Sequence, residues 1–133
     1  MPSVVVDTHA ALWYLFDDPR LSPIAGAALD QATREGAPIL LPSICLVETT
    51  YLVEKGRVKV AALERLISAL DEDEPVFILA PLDRAVAAAV RQISRSVIPD
   101  LPDRVIAATA LALGVPLVTR DAGIRAAWIQ AIW

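Results

Sequence analysis

Apolar positions along the chain alternate between short unbroken runs and longer runs of helical period. Ser3–Val6, Pro38–Leu41, Val76–Leu79 and Val115–Val118 are short and largely apolar, as strands covered on both faces are. Between them the spacing changes. His9, Leu12, Trp13 and Phe16 share one face of a helix over Thr8–Phe16, which Asp17-Asp18-Pro19 ends. Ser22-Pro23 places an N-cap before a proline at the first helical position, opening a helix towards Gly36. A helix from Pro42-Ser43 carries Ile44, Val47, Tyr51 and Leu52 on its apolar face, and Glu48 lies on that same stripe. Val60–Leu70 repeats the pattern through Ala62, Leu63, Leu66, Ile67 and Leu70, and Leu82–Ile93 is a helix rich in Ala and Val.

The stretch from Asp103 to Asp121 organises the rest. Val105 to Leu113 is almost wholly apolar, so this helix can be buried nearly all round. Gly114 suits a left-handed C-terminal cap and Pro116 discourages continuation. A strand then ends before Asp121, a short helix covers Ile124–Ala127, and the apolar tail to Trp133 reads as an edge strand. Strands alternating with helices predict a single α/β domain over 1–133. The expected fold has three layers: a parallel sheet of four to five strands between helices, joined by right-handed crossovers.

Composition narrows the function. At 133 residues the chain can bury about two-thirds of its unfolded surface. An apolar content of 56 % and mean hydropathy of +0.52 are high for that length and suggest surface reserved for protein, most simply a homodimer or an obligate partner. No run spans a bilayer, Asp7 and His9 interrupt any secretory hydrophobic segment, and the lone Cys45 excludes an internal disulfide; a cytoplasmic protein is expected. The formal charge of −4 argues against nucleic-acid binding by charge alone. A nucleic acid would approach only through cations held by acidic groups.

Four acids meet the rule that ligands bind outside the carboxyl ends of parallel strands. Asp7 ends the first strand, Glu48 follows the second, Asp103 opens the organising helix and Asp121 lies beyond the strand after it. Clustered carboxylates repel unless cations lie between them, and oxygen donors without a His or Cys set favour Mg²⁺ or Mn²⁺. One or two such ions would orient a water on a phosphodiester. Each acid also has a structural reading: Asp7 or Thr8 as a cap, Asp103 as a dipole partner, Asp121 as a cap, Glu48 paired with Arg104 or Arg120. His9 either contacts substrate or packs. Thr119 either holds a water or ends a strand. Arg104 and Arg120 either meet phosphate or balance the acids. Trp13 and Trp128 suit core or interface better than base stacking. Asp71-Glu72-Asp73-Glu74 reads as a solvated loop, because four successive acids cannot face one ion.

Four blocks, V-V-V-D-T-H-A-A-L-W, P-S-I-C-L-V-E, P-D-R-V-I-A-A-T-A and G-V-P-L-V-T-R-D, together resemble the PIN-domain ribonucleases, and more closely the VapC-type toxins of toxin–antitoxin pairs. The resemblance maps the family's acidic quartet onto Asp7, Glu48, Asp103 and Asp121, and its last polar residue onto Thr119. It implies a Mg²⁺- or Mn²⁺-dependent endoribonuclease that hydrolyses RNA through a metal-activated water. It also implies a homodimer held inactive by a cognate antitoxin whose C-terminal segment lies over the acidic pocket. A receiver-type phosphoacceptor needs an Asp at the end of a central strand and a Lys after the last one. Here Ala80-Pro81 follows the third strand, and Lys55 and Lys59 lie mid-chain. A haloacid-dehalogenase-type phosphatase wants an Asp where His9 stands. The remaining alternative is a non-catalytic PIN scaffold that acts through its partner, against which the intact quartet argues.

Overall fold

The computed structural model describes residues 3–126 and 129–133, and Ala127 and Trp128 lie outside the described part. Its elements run β1 (Val4–Val6), α1 (Thr8–Leu15), α2 (Pro23–Arg34), β2 (Ile39–Pro42), α3 (Ile44–Glu54), α4 (Val60–Leu70), β3 (Phe77–Ala80), α5 (Arg84–Ala89), α6 (Leu101–Leu113), β4 (Leu117–Val118), α7 (Ala122–Ala126) and β5 (Ala131–Ile132), with a 3₁₀ turn over Val90–Gln92. The five strands form one all-parallel sheet in the order β3-β2-β1-β4-β5, and helices flank it to complete a three-layer α/β fold. The apolar tail does form an edge strand, paired in parallel with β4.

β1 is the centre. Val4, Val5 and Val6 are buried on both faces, each stabilising the fold by roughly 1.5–3 kcal/mol. The strand order reverses around β1, so a crevice opens at the carboxyl ends of β1 and β4, where doubly wound sheets bind ligands. A hydrogen bond from Asp7 N to Val118 O, 3.2 Å, closes the two strands at that point.

α6 packs below the crevice as its sequence suggests, with Val105 to Ala110 buried without a break, although Leu113 emerges at the far end. It starts earlier than expected: Asp100 is the N-cap, accepting from Asp103 N at 3.1 Å, and Pro102 sits in the first turn. Gly114 closes it in the left-handed conformation (φ 67°), with Val115 N donating to Ala110 O and Gly114 N to Leu111 O. A Cβ at Gly114 would meet nothing within 4 Å, so the cost of Gly114→Ala is backbone strain alone, about 1 kcal/mol. A melting temperature about 4 °C below wild type is the expected result of thermal denaturation.

Two apolar faces differ from the sequence pattern. On α3, Val47 and Tyr51 are 63 % and 56 % exposed, and the helix buries Cys45 and Thr49 instead. The stripe containing Val47 and Tyr51 is therefore not the core face, and Glu48 borders a cleft. On α1 the buried side is Thr8, Ala10, Ala11, Leu12 and Trp13, while His9 and Phe16 face outward. Short helices between two layers are covered by whatever packs on them, and this overrides a period counted on hydrophobicity.

An acidic cleft at the sheet switch point

A cleft of 430 Å³ opens at the crevice, lined by Asp7, Glu48, Asp100, Asp103 and Asp121, with Arg57 and Arg120 also on its wall. All four acids expected from the sequence meet there.

Each side chain is set by a local rule. Asp7 follows β1 and caps α1, accepting from Ala10 N at 2.9 Å. Burial raises its pKa, and hydrogen bonds from the Thr119 side chain and the Ala10 amide oppose that rise. Thr8 is not the cap. It is buried at the first position of α1, and its hydroxyl donates to Glu48 Oε1 at 2.5 Å, so one turn of α1 fixes a carboxylate of α3. Asp121 accepts from Gly123 N at 2.8 Å and Ile124 N at 3.1 Å, while its own amide is held by Thr119 Oγ1 at 3.1 Å. Residue 123 is Gly for a steric reason: a Cβ there would lie 3.0 Å from Val97 O and 3.1 Å from Asp121 Oδ1. Asp7 and Asp121 thus cap the helices that follow them and line the cleft as well.

Asp103, in the first turn of α6, is half-buried, and its pKa is pushed up to about 7. Desolvation is the main cause; the charges of Asp100, Asp121, Glu48 and Asp7 add to it. Carboxylate oxygens of Glu48, Asp100 and Asp103 lie within 4.8 Å of one another. Among the described residues, the two ion pairs join Arg20 to Asp18 and Arg65 to Glu72, so neither neutralises these carboxylates. Close, unneutralised oxygen donors, Asp100 exposed and Glu48 and Asp103 half-buried, suit a hard divalent cation.

The supporting residues divide. Thr119 is buried beside Asp7, and Thr8 holds Glu48. His9 is exposed on the cleft wall, its ring 5.6 Å from that of Trp13. Arg120 is exposed with its guanidinium 4.7 Å from the Trp13 ring centroid, a cation–π contact that holds it at the wall. Arg104 turns away. Its guanidinium donates to Val90 O and Ile93 O, closing the 3₁₀ turn, and it neither lines the cleft nor pairs with Glu48. Free carbonyls at the end of a broken helix outcompete the acids for it.

Asp100 and Arg57 are the charged members that sequence reasoning missed. Asp100 had a readable signal, since Asp-Leu-Pro-Asp is an N-cap with proline in the first turn, and a cap points its carboxylate at the residue three along. Arg57 follows α3 in a loop, and no local pattern connects it to Asp7.

Five carboxylates gathered at the switch point of a parallel sheet define a class, the α/β domains with an acidic cleft at the strand ends. A PIN domain profile matches residues 4–128, and the chain belongs to the PIN domain family. It is 30 % identical over 125 residues to Ribonuclease VapC22 of Mycobacterium tuberculosis (strain ATCC 25618 / H37Rv), an overlap of 94 % of this chain and 92 % of that protein. VapBC2 from Rickettsia felis, bound to a DNA fragment from its promoter, has a similar fold (TM-score 0.72, 16 % identity, 96 % of each chain). DNA-bound VapBC from Salmonella typhimurium gives 0.68 at 20 % identity, covering 98 % of this chain and 97 % of that one. FitAcB from Neisseria gonorrhoeae gives 0.60 at 23 %, covering 96 % and 95 %. At these identities the three structures speak for the fold.

Proposed function

We propose that the chain is a metal-dependent endoribonuclease, the VapC-type toxin of a toxin–antitoxin pair, hydrolysing RNA phosphodiesters. The observation that carries this reading is the convergence of Asp7, Glu48, Asp100, Asp103 and Asp121 on one cleft, none of them in an ion pair among the described residues. The sequence relative, 30 % identical over most of both chains, is a ribonuclease, which favours the same reading.

Asp7, Glu48 and Asp103, joined by Asp100, would hold the principal ion, with Asp121 supporting it or a second one. Mg²⁺ or Mn²⁺ there would stabilise charge on phosphoryl oxygens and make a water a stronger nucleophile. The chain's own residues position the parts. Thr8 holds one oxygen of Glu48, Thr119 steadies Asp7 and the turn into Asp121, and Arg57 and Arg120 offer guanidinium groups to the phosphate flanks. Val47 and Leu101, exposed on α3 and at the start of α6, suit the face of a homodimer, and a cognate antitoxin would cover the cleft in the cytoplasm. Among the described residues no helix is long and apolar enough to cross a membrane.

The test is cleavage of single-stranded RNA by the purified chain in Mn²⁺ and in EDTA. Cleavage that requires the ion supports the reading; cleavage equal in EDTA overturns it. Thr8→Val keeps the shape of the side chain and removes the hydroxyl that holds Glu48. Supporting hydrogen bonds of this kind are worth 10–100-fold, so a cleavage rate about tenfold lower is expected, with an unchanged circular dichroism spectrum.

A further inference from the structure

Arg120 makes a choice of partner that its surroundings do not explain. It precedes Asp121 and lies exposed on the wall of a cleft that five carboxylates line. Among the described residues it forms no ion pair with any of them. A guanidinium beside carboxylates is ordinarily drawn into a bidentate pair with one of them. Here it lies over the indole of Trp13 instead, 4.7 Å from the ring centroid.

The fold places that ring independently of Arg120. Trp13 is 6 % exposed and stands between the acidic cleft and an apolar groove of 550 Å³ that Phe16 and Val58 border. Trp133, after the edge strand β5, meets it in a T-shaped contact with ring centroids 6.0 Å apart. The turn after α1 returns to it: Asp18 N donates to Trp13 O at 2.8 Å, and the Arg20 guanidinium lies 5.0 Å from the ring centroid. Two cations over one ring would repel, but Arg20 is neutralised by both oxygens of Asp18, at 2.7 and 3.1 Å. The indole is therefore left with attraction for a second guanidinium. Sheet register supplies it, since Thr119 N donates to Ile132 O at 3.1 Å and the chain enters Arg120 beside the end of β5.

We infer that Trp13 is a positioning residue whose ring holds Arg120 off the carboxylates of the cleft. The inference rests on the nuclease reading above. A guanidinium seated among Asp7, Asp103 and Asp121 would cancel part of the negative charge that a hard cation needs, and would be lost to the phosphate. Over the indole it keeps its charge, and its N–H fork is not spent on a carboxylate. One side chain can then meet a phosphate without competing for the acids.

The experiment titrates the whole chain with Mn²⁺, following loss of the EPR signal of the aqueous ion, with RNA cleavage in Mn²⁺ run alongside. Trp13→Leu removes the ring and lets Arg120 fall onto the acids. Its dissociation constant for Mn²⁺ is expected to rise about fivefold, the scale of one surface ion pair, and KM for RNA to rise with it. Trp13→Phe keeps a ring under the guanidinium and is expected to bind Mn²⁺ within about twofold of wild type. Trp13→Leu/Arg120→Gln is expected to recover the wild-type Mn²⁺ affinity or better, which a general loosening of the fold would not allow. Wild-type affinity in Trp13→Leu, or no recovery in the double variant, overturns the proposal. Should Trp13→Leu fail to fold, Arg120→Gln alone decides. Mn²⁺ affinity within about threefold of wild type upholds the proposal, because a screened charge on the wall acts weakly; a larger gain means that Arg120 already sits among the acids, and overturns it. A wild type that binds Mn²⁺ and gives the expected variants without cutting RNA overturns the nuclease reading alone, and one that neither binds nor cuts overturns both.

Discussion

Asp103→Asn is expected to lower Mn²⁺-dependent RNA cleavage by at least ~100-fold while making the metal-free protein more stable at pH 8. The two effects have one cause. Residues that only orient a metal ligand are worth 10–100-fold, so a ligand itself stands at or above the top of that range. Yet without a cation the ionised Asp103 is a liability, because burial and the facing carboxylates hold its pKa at about 7 against an unfolded value near 3.8. Between those values the folded chain binds more protons than the unfolded one, so stability falls as pH rises from about 4 to about 7. Solvent screening at this half-exposed group brings the loss to about 1 kcal/mol, or about 4 °C in a domain of this size. Asparagine keeps the shape and cannot ionise. The gain should therefore appear at pH 8 and vanish near pH 4, as followed by thermal denaturation in EDTA. A variant that cuts RNA at the wild-type rate would remove Asp103 from the site, and one less stable than wild type at pH 8 would contradict the electrostatic account.

Adding the cation reverses that pH dependence. Mn²⁺ at about 100 times its dissociation constant stabilises the folded state by about 2.7 kcal/mol, raising the melting temperature by about 10 °C at pH 8. Protons compete for the same oxygens, so at pH 5 the rise should shrink to a few degrees, since Asp103 is then largely protonated. Melting curves in EDTA and in Mn²⁺ at the two pH values check this. Identical curves at pH 8 would mean that the carboxylates do not hold a divalent ion. A rise equal at both pH values would place the ion somewhere other than this cluster.

The inner strands were readable because they are covered on both sides, whereas Ile78 and Leu79 of the edge strand β3 are exposed. β1, β2 and β4 need apolar residues at successive positions, and no other element of four residues or fewer has that requirement, so Val4–Val6 and Leu117–Val118 could hardly be anything else. Helix ends were readable where a side chain makes a local bond: Ser22 caps α2 at Ala25 N, and Gly114 takes a conformation that costs other residues energy. Faces of α1 and α3 were less readable. Both helices carry apolar residues nearly all round, so the period does not choose a side, and the layer packed above them decides which residues are covered. The pattern thus counted Tyr51 and Phe16 as core, although one lines the acidic cleft and the other the apolar groove.

What the order of residues determined by itself is the class of fold and the four carboxylates that gather at one edge of its sheet. Apolar runs, caps and glycine stops act over a few residues, and chain direction in a parallel sheet brings every carboxyl end to one edge. What only the tertiary structure decided is the set of bonds between distant parts of the chain. Thr8 binds Glu48 forty positions away instead of capping its own helix, Arg104 is drawn to the carbonyls of Val90 and Ile93, and Arg57 and Asp100 arrive at the cleft from loops. Side chains that form hydrogen bonds and charge pairs choose among all the partners packing brings within reach, and that choice depends on distances in space rather than spacing along the chain.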